Sequence, residues 1–402
     1  MNCSRKLTDS LYWIGVNDRR IALFENVYPV PKGVSYNSYV MLDEKTALFD
    51  TVDASFTHQF IENLEGVLGG RSLDYLIVNH MEPDHCASIS DIVNHYPDVK
   101  IYCTAKAAVM MKQFFDFDVD RHVTAVKEGD CLSLGAHELT FVMAPMVHWP
   151  EVMVTYEKTE KILFSADAFG SFGALDGNIY NDEIDYKGAW LPEARRYYTN
   201  IVGKYGPQVQ ALLKKAAGLE ISMICPLHSV IWRTDLGWVI DKYLKWSSYT
   251  PEEKTVLIAY ASVYGHTESA ADLLAGKLAE RGIKNLAVYD VSKTHPSYII
   301  GDAFRCSSLV FASISYNNGI FCNMDALLHQ IVAHNLQNRT IALIENGSWA
   351  PVAGKQMRDC LSALKNCTVL DDVVTVKSAL KQDQEAAIDA LADALAASLQ
   401  AE

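Results

Sequence analysis

From Gly15 to about Leu175 the apolar positions fall in short clusters separated by polar turns, too brief for helices. Such runs predict strands: Arg20–Phe24, Ser38–Met41, Thr46–Asp50, Leu73–Asn79, Lys100–Cys103, His137–Met143, Val152–Glu157 and Lys161–Ser165. Apolar residues spaced three and four apart interrupt them and predict helices over Ser55–Leu68, Thr104–Phe115 and Glu193–Ala217, the last followed by an apolar strand at Ile221–Cys225. This mixture predicts a layered α/β unit.

The stretch Trp246–Lys254 is polar and carries Pro251, and beyond it the pattern becomes a regular alternation. Strands are expected at Thr255–Ser262, Asn285–Asp290, Ser308–Ser313, Thr340–Glu345 and Thr368–Leu370. Helices are expected at Thr267–Arg281, Asn323–His334, Val352–Lys365 and Lys381–Leu399. Five strands alternating with helices predict a doubly wound parallel sheet. The domain boundary is therefore set near residue 250, giving units 1–250 and 251–402. No internal repeat or low-complexity tract interrupts either.

Composition narrows the classes. A chain of 402 residues suggests two or three cores. A net charge of −14 without clustered Lys and Arg argues against nucleic-acid binding. No apolar run reaches the ~20 residues of a membrane span, and the N-terminus lacks a signal-peptide core, so a cytoplasmic protein is expected. The nine cysteines form no Cys-x-x-Cys pair, so a disulfide framework or rubredoxin-type module is not indicated. Bound iron would need nitrogen and oxygen ligands.

The segment Val78-Asn-His80-Met-Glu82-Pro-Asp84-His85-Cys-Ala87 packs two imidazoles and two carboxylates into six residues after an apolar strand. Burying so many ionisable groups without a metal would be costly. Three further candidates follow apolar strands: His148 in Ala-Pro-Met-Val-His148-Trp-Pro, Asp167 in Phe-Ser-Ala-Asp167-Ala-Phe-Gly, and His228 in Cys-Pro-Leu-His228-Ser. One sheet edge could gather all seven. Four imidazoles and three carboxylates suit a pair of first-row metals, zinc or iron, with Asp167 the natural bridge across the ~3.5 to 4 Å of a two-metal site. Trp149 and Tyr198 are candidate pocket residues. Cys86 and Cys225 lie close by but are not needed as ligands. Seven other histidines, at 58, 95, 122, 137, 295, 329 and 334, are read as ordinary surface or core residues.

A His-x-His-x-Asp-His loop marks the metallo-β-lactamase superfamily, and the loop here resembles it with Glu82 in place of the second His. Together with His148-Trp-Pro, Asp167-Ala-Phe-Gly-Ser-Phe-Gly and Gly33-Val-Ser-Tyr-Asn-Ser-Tyr, it resembles the flavodiiron proteins over nearly the whole chain. The resemblance implies a metallo-β-lactamase-like αββα sandwich followed by a flavodoxin-like sheet. It also implies a non-haem diiron centre, with His80, Glu82, His148 and Asp167 on one iron and Asp84, His85, Asp167 and His228 on the other.

In the second half, Ala261-Ser262-Val-Tyr264-Gly265-His266-Thr267-Glu runs from a strand directly into a helix. Hydroxyls and free N–H groups at a helix N-terminus form a phosphate site, and Ser-x-x-Gly-x-Thr resembles the flavodoxin phosphate loop. Ser315, Tyr316, Asn317, Asn318 and Gly319 follow the third strand. Asn346, Gly347, Ser348 and Trp349 follow the fourth. In a sheet of order 2-1-3-4-5 these three strand ends flank the switch-point crevice where a flavin would lie. Tyr316 and Trp349 are candidates to stack on its ring. FMN is expected because no Gly-x-Gly-x-x-Gly site for an adenine dinucleotide is present.

The resulting expectation is an oxidoreductase that carries electrons through FMN to a diiron centre and reduces O2 to water or NO to N2O. The resemblance implies a head-to-tail homodimer or a tetramer built on it. No rubredoxin or flavin reductase segment follows the flavodoxin-like part, so an external donor, rubredoxin, is expected. Two rivals are a dizinc hydrolase carrying a flavodoxin domain and an electron-transfer or sensing module with a structural metal.

Overall fold

A computed structural model describes residues 3–401. They form two compact units, one comprising the chain to Tyr198 with Pro207–Tyr243, the other Thr199–Gly206 with the chain from Leu244 onward. No helix is long and apolar enough to cross a membrane among the described residues.

Two large sheets form the body of the first unit, beside the two-stranded pairs Val16–Asp18 with Val34–Tyr36 and Leu23–Phe24 with Tyr28–Pro29. One has seven strands in the order Arg5–Lys6, Leu11–Trp13, Tyr39–Leu42, Thr46–Phe49, Tyr75–Ile77, Lys100–Thr104 and Val123–Val126, antiparallel at its first edge and parallel from Thr46 onward. The other runs Cys131–Ser133, Glu138–Met143, Met153–Glu157, Ile162–Phe164 and Met223–Cys225. The sheets meet face to face: Phe49 stacks on Phe164 with ring centroids 3.7 Å apart, and Tyr102 lies parallel to Phe141. Helices Thr57–Leu68 and Ala105–Phe114 cover the first sheet, the former burying Phe60, Leu64 and Leu68 at helical spacing. This is the expected αββα sandwich.

Several local readings need correction. The strand expected at Arg20–Phe24 shrinks to Leu23–Phe24, because the Asp18 carboxylate accepts from the N–H groups of Arg20 and Ile21 and turns the chain there. The continuous helix expected over Glu193–Ala217 is broken. It runs Leu191–Tyr197, widens to a π turn over Tyr198–Val202, tightens over Gly203–Tyr205 and restarts as Gly206–Ala216. Pro207 explains the restart, since it lacks an N–H and is tolerated only in a first helical turn. A helix that the sequence pattern did not suggest, Leu236–Ser247, reaches into the stretch read as a polar linker. There Trp246 is buried and donates its indole N–H to Glu252.

The second unit is a parallel sheet in the order Ala287–Asp290, Glu253–Ala261, Cys306–Tyr316, Thr340–Asn346, Thr368–Val376. Counted along the chain that is 2-1-3-4-5, the expected doubly wound order. Alternate residues of the central strands feed two cores. Leu257, Ala259, Leu309, Phe311, Ile341 and Leu343 form one with Ile299, Leu327 and Met357. Val256, Ile258, Val310, Ala312 and Ile344 form the other with Leu274, Ile388 and Leu395. Each fully buried large apolar side chain contributes about 1.5–3 kcal/mol. The crossover helix Pro296–Arg305, absent from the sequence reading, is capped by the His295 imidazole accepting from the Ser297 N–H. The last strand extends well past Leu370 because the exposed Asp371 and Asp372 sit on an edge, where charge is tolerated.

Candidate metal centre

The strands Tyr75–Ile77, Glu138–Met143, Ile162–Phe164 and Met223–Cys225 all deliver their C-terminal ends to one edge of the sandwich. Beyond these ends lie His80 with Glu82, His148, Asp167 and His228. Asp84 and His85 do not lie in an open loop. Pro83 starts a single helical turn, Pro83–Cys86, which turns both side chains inward. All seven are buried.

They form two clusters, His80, Glu82, His148 and Asp167 in one and Asp84, His85 and His228 in the other. In the first, Glu82 Oε2 lies 3.2 Å from His80 Nε2 and 3.0 Å from His148 Nε2. In the second, Asp84 Oδ2 is 3.3 Å from the Nε2 of both His85 and His228. Asp167 joins them. Its Oδ2 is 3.0 Å from His148 and 3.4 Å from His80, and its Oδ1 is 3.3 Å from His85.

Supporting groups aim the imidazoles. His80 Nδ1 meets Glu151 Oε1 at 2.8 Å, and His228 Nδ1 donates to the Ser35 carbonyl at 2.7 Å. Each leaves Nε2 facing the cluster. The His80 N–H is held by Asp50, which also accepts from Asn79. Among the described residues, both Asp84 oxygens and Asp167 Oδ1 are buried without a hydrogen-bond donor. Orphaned buried carboxylate oxygens beside imidazole nitrogens fit cations. The donor set of nitrogen and oxygen suits iron or zinc.

Electrostatics agree. Burial works against carboxylate charge, yet His148 and His80 hold Glu82 far below the ordinary range, and the imidazoles do the same for Asp167. Burial opposes the imidazolium of His148, but Asp167 and Glu82 push its pKa up to about 9. His80 is raised well above its usual value against the same burial by Asp167, Glu151 and Glu82.

Trp149 is half-buried, its ring 5.4 Å from His80 and edge-on. Tyr198 packs on Tyr243 at 5.0 Å, whereas its neighbour Tyr197 sets its ring 5.5 Å from His228. Glu151, Ser35, Asp50 and Tyr197 were not singled out from sequence. Glu25 was also missed: it occupies the tight hairpin turn after Leu23–Phe24 at φ 48°, within hydrogen-bonding reach of Glu82. The Glu82 carboxylate beside this exposed side chain raises its pKa. Only Glu151, three residues past His148, offered a hint. Cys86 bonds the Met81 carbonyl, and neither it nor Cys225 belongs to a cluster. His122, His95 and His334 bond backbone carbonyls, and His137 pairs with Asp43.

In the second unit the three loops lie at the C-terminal ends of adjacent strands. Ser262 Oγ accepts from the Gly265 N–H at 3.1 Å, Gly265 has φ 88°, and no side chain caps helix His266–Glu280. Its first N–H groups are thus left for an anion. His266 is exposed and Thr267 buried, its hydroxyl accepting from Asn346 Nδ2. Asn346 also holds Ser378, and the Ser378 and Ser348 hydroxyls meet at 2.9 Å. Asn317 and Asn318, both at positive φ, make the two-residue turn that pairs Tyr316 with Gly319. Ser315 turns its hydroxyl to the N–H groups of Val352 and Ala353, at the start of helix Ala353–Leu361. Tyr264 and Trp349 are 88% and 92% exposed and Tyr316 47%, so the crevice is flanked by uncovered aromatic rings. An uncapped helix start beside hydroxyls and bare aromatic faces fits a phosphorylated planar cofactor.

Residues 34–229 match the family model described as ODP family beta lactamase. The anaerobic nitric oxide reductase flavorubredoxin of Vibrio vulnificus is 32% identical over 351 residues, spanning 85% of this chain and 69% of that protein. Rubredoxin oxygen:oxidoreductase from Desulfovibrio gigas superposes with a TM-score of 0.91 at 28% identity over 99% of both chains. A variant of the flavo di-iron protein from Thermotoga maritima does so with a TM-score of 0.89 at 26% identity over 98% of both.

Proposed function

The chain belongs to the flavodiiron protein family, and on that premise we propose that it is an oxidoreductase reducing O2 to water or NO to N2O with electrons from a rubredoxin-type donor. When bound, FMN would take up and store electrons, and two non-haem irons would bind and reduce the diatomic gas.

The observation that carries this reading is the position of Asp167, one carboxylate with an oxygen turned to each of two ligand clusters. His80, Glu82 and His148 would hold one ion, and Asp84, His85 and His228 the other, with Asp167 shared. Glu151 and the Ser35 carbonyl orient His80 and His228, and Trp149 walls the pocket beside His80. In the flavin unit, Gly265 makes the turn and the N–H groups at His266 and Thr267, with the Ser262 and Thr267 hydroxyls, would hold the phosphate. Tyr264, Tyr316 and Trp349 would flank the ring, and backbone groups at Asn317–Gly319 and Asn346–Ser348 its polar edge. Ser315 serves by fixing the helix behind this crevice. A head-to-tail homodimer, bringing the FMN of one subunit to the metal pair of the next, completes the proposal.

The test is anaerobic purification, iron and FMN quantitation, and assay of gas consumption with reduced rubredoxin. Consumption of O2 or NO with iron and FMN bound supports the reading. Zinc at full occupancy with esterase or lactamase turnover and no gas consumption would replace it by the hydrolase.

A further inference from the structure

The parallel strands Thr340–Asn346 and Thr368–Val376 end side by side, and past that end one side chain continues the pairing. Asn346 lies opposite Val376, and the Gly347 N–H donates to the Val376 carbonyl. Two residues on, the Asn346 side-chain amide takes over. Its Oδ1 accepts from the Ser378 N–H at 3.1 Å, and its Nδ2 donates to the Ser378 carbonyl at 3.0 Å. Asn346 is buried, and Ser378 holds φ at 69°. That conformation is costly for a residue with a side chain and persists where its surroundings enforce it.

The polarity of this pair is not free. A main-chain N–H only donates and a main-chain carbonyl only accepts, so Ser378 fixes which end of the amide is oxygen and which is nitrogen. The second Nδ2 hydrogen then turns to Thr267 Oγ1, 3.3 Å away, and that oxygen must accept. Thr267, the second residue of helix His266–Glu280, is 1% exposed, and its hydroxyl donates to no group among the described residues. So early in a helix there is no helical carbonyl one turn back to take the proton. It is left over at a helix start whose first N–H groups have no side-chain cap. The Ser378 hydroxyl donates in turn to Ser348 Oγ at 2.9 Å, in the loop assigned to the ring.

We propose that Asn346 and Ser378 are positioning residues that set the Thr267 hydroxyl as a donor to the flavin's phosphate. The inference rests on the FMN reading and deepens it. The Ser378 main chain orients the Asn346 amide, the amide occupies the Thr267 oxygen from the inner side, and the hydroxyl proton faces the anion. A hydrogen bond to a charged acceptor is roughly twice as strong as a neutral one. Preference for a phosphorylated over an unphosphorylated flavin therefore follows from the orientation of one buried amide.

Flavin-stripped full-length protein is titrated with FMN and with riboflavin, which lacks the phosphate, and the ratio of the two dissociation constants is read from quenching of flavin fluorescence. Wild type should favour FMN, and Thr267→Val should cut that preference about 10- to 100-fold. Asn346→Asp replaces the donor by a second acceptor, which would draw the Thr267 proton away from the phosphate. It should lower the preference, and Thr267→Val added in that background should change it by less than about twofold. If Asn346→Asp binds neither flavin, Asn346→Ala decides: it leaves the hydroxyl free to turn and should lower the preference severalfold with riboflavin affinity kept. Thr267→Val costing as much beside Asn346→Asp as alone, or an unchanged preference in Asn346→Ala, would overturn the positioning role. Wild type that binds riboflavin as tightly as FMN, or binds neither, would overturn the phosphate site beneath it.

Discussion

Glu151 holds Nδ1 of His80 at 2.8 Å, and neither side chain reaches solvent. The same Oε1 accepts from the Met81 N–H at 2.9 Å, so the carboxylate is itself pinned to the ligand loop. Nε2 is thereby left to face Glu82 and Asp167. Carboxylates behind a ligating imidazole fix its tautomer and raise its basicity, and losing one costs about 10- to 100-fold in metal affinity. Glu151→Gln should weaken metal binding by that factor while leaving FMN content unchanged, measured by competition with a chromophoric chelator.

Among the described residues, Asp167 is the one within reach of both clusters through separate oxygens. Asp167→Ala should therefore lower bound iron from two ions per chain to at most one, read by elemental analysis of protein that retains its circular dichroism spectrum. Two tightly bound ions in that variant would remove the bridging role.

Metal uptake should expel protons. In the metal-free protein His148 titrates at about 9, because Asp167 and Glu82 outweigh the burial that opposes its charge. Ligation requires the neutral imidazole. Affinity should rise with pH up to about 9, with net proton release visible by calorimetry in buffers of different ionisation enthalpy. The stabilisation that the charged His148 gives the metal-free fold is complete below the unfolded value of ~6.5 and lost as pH rises through about 9. Metal uptake independent of pH across this window would contradict the assignment.

Gly347 sits where an added Cβ would come within 2.8 Å of Pro351 Cα. Gly347→Ala must shift the backbone of the loop carrying Ser348 and Trp349. Flavin titration should show weakened FMN binding, with metal content as in the wild type.

The convergence of the seven candidate ligands was legible because six residues hold four of them and each of the others follows an apolar strand. The 2-1-3-4-5 sheet was legible because period-two runs alternate with period-3.6 runs. What escaped is instructive. Ser35 contributes a carbonyl, which every residue has, and Glu151 a lone carboxylate whose one signal is its place three residues past His148. Tyr197 and Tyr198 are adjacent, and only the helix widening at Tyr198–Val202 accompanies the choice of which ring faces His228. The helix Pro296–Arg305 was hidden by an unusual His295 cap, and the strand to Val376 by charges that an edge position tolerates.

The most direct test of the account is whether electrons leave the flavin through the metal pair. Wild type and Glu82→Ala, both loaded with FMN and fully reduced without oxygen, are mixed in a stopped-flow instrument with NO, and flavin absorbance is followed. The wild type should reoxidise its flavin within turnover time, and Glu82→Ala, with FMN still bound, should hold its flavin reduced. Equal reoxidation in both would show that the flavin reacts without the metal centre and would contradict the account.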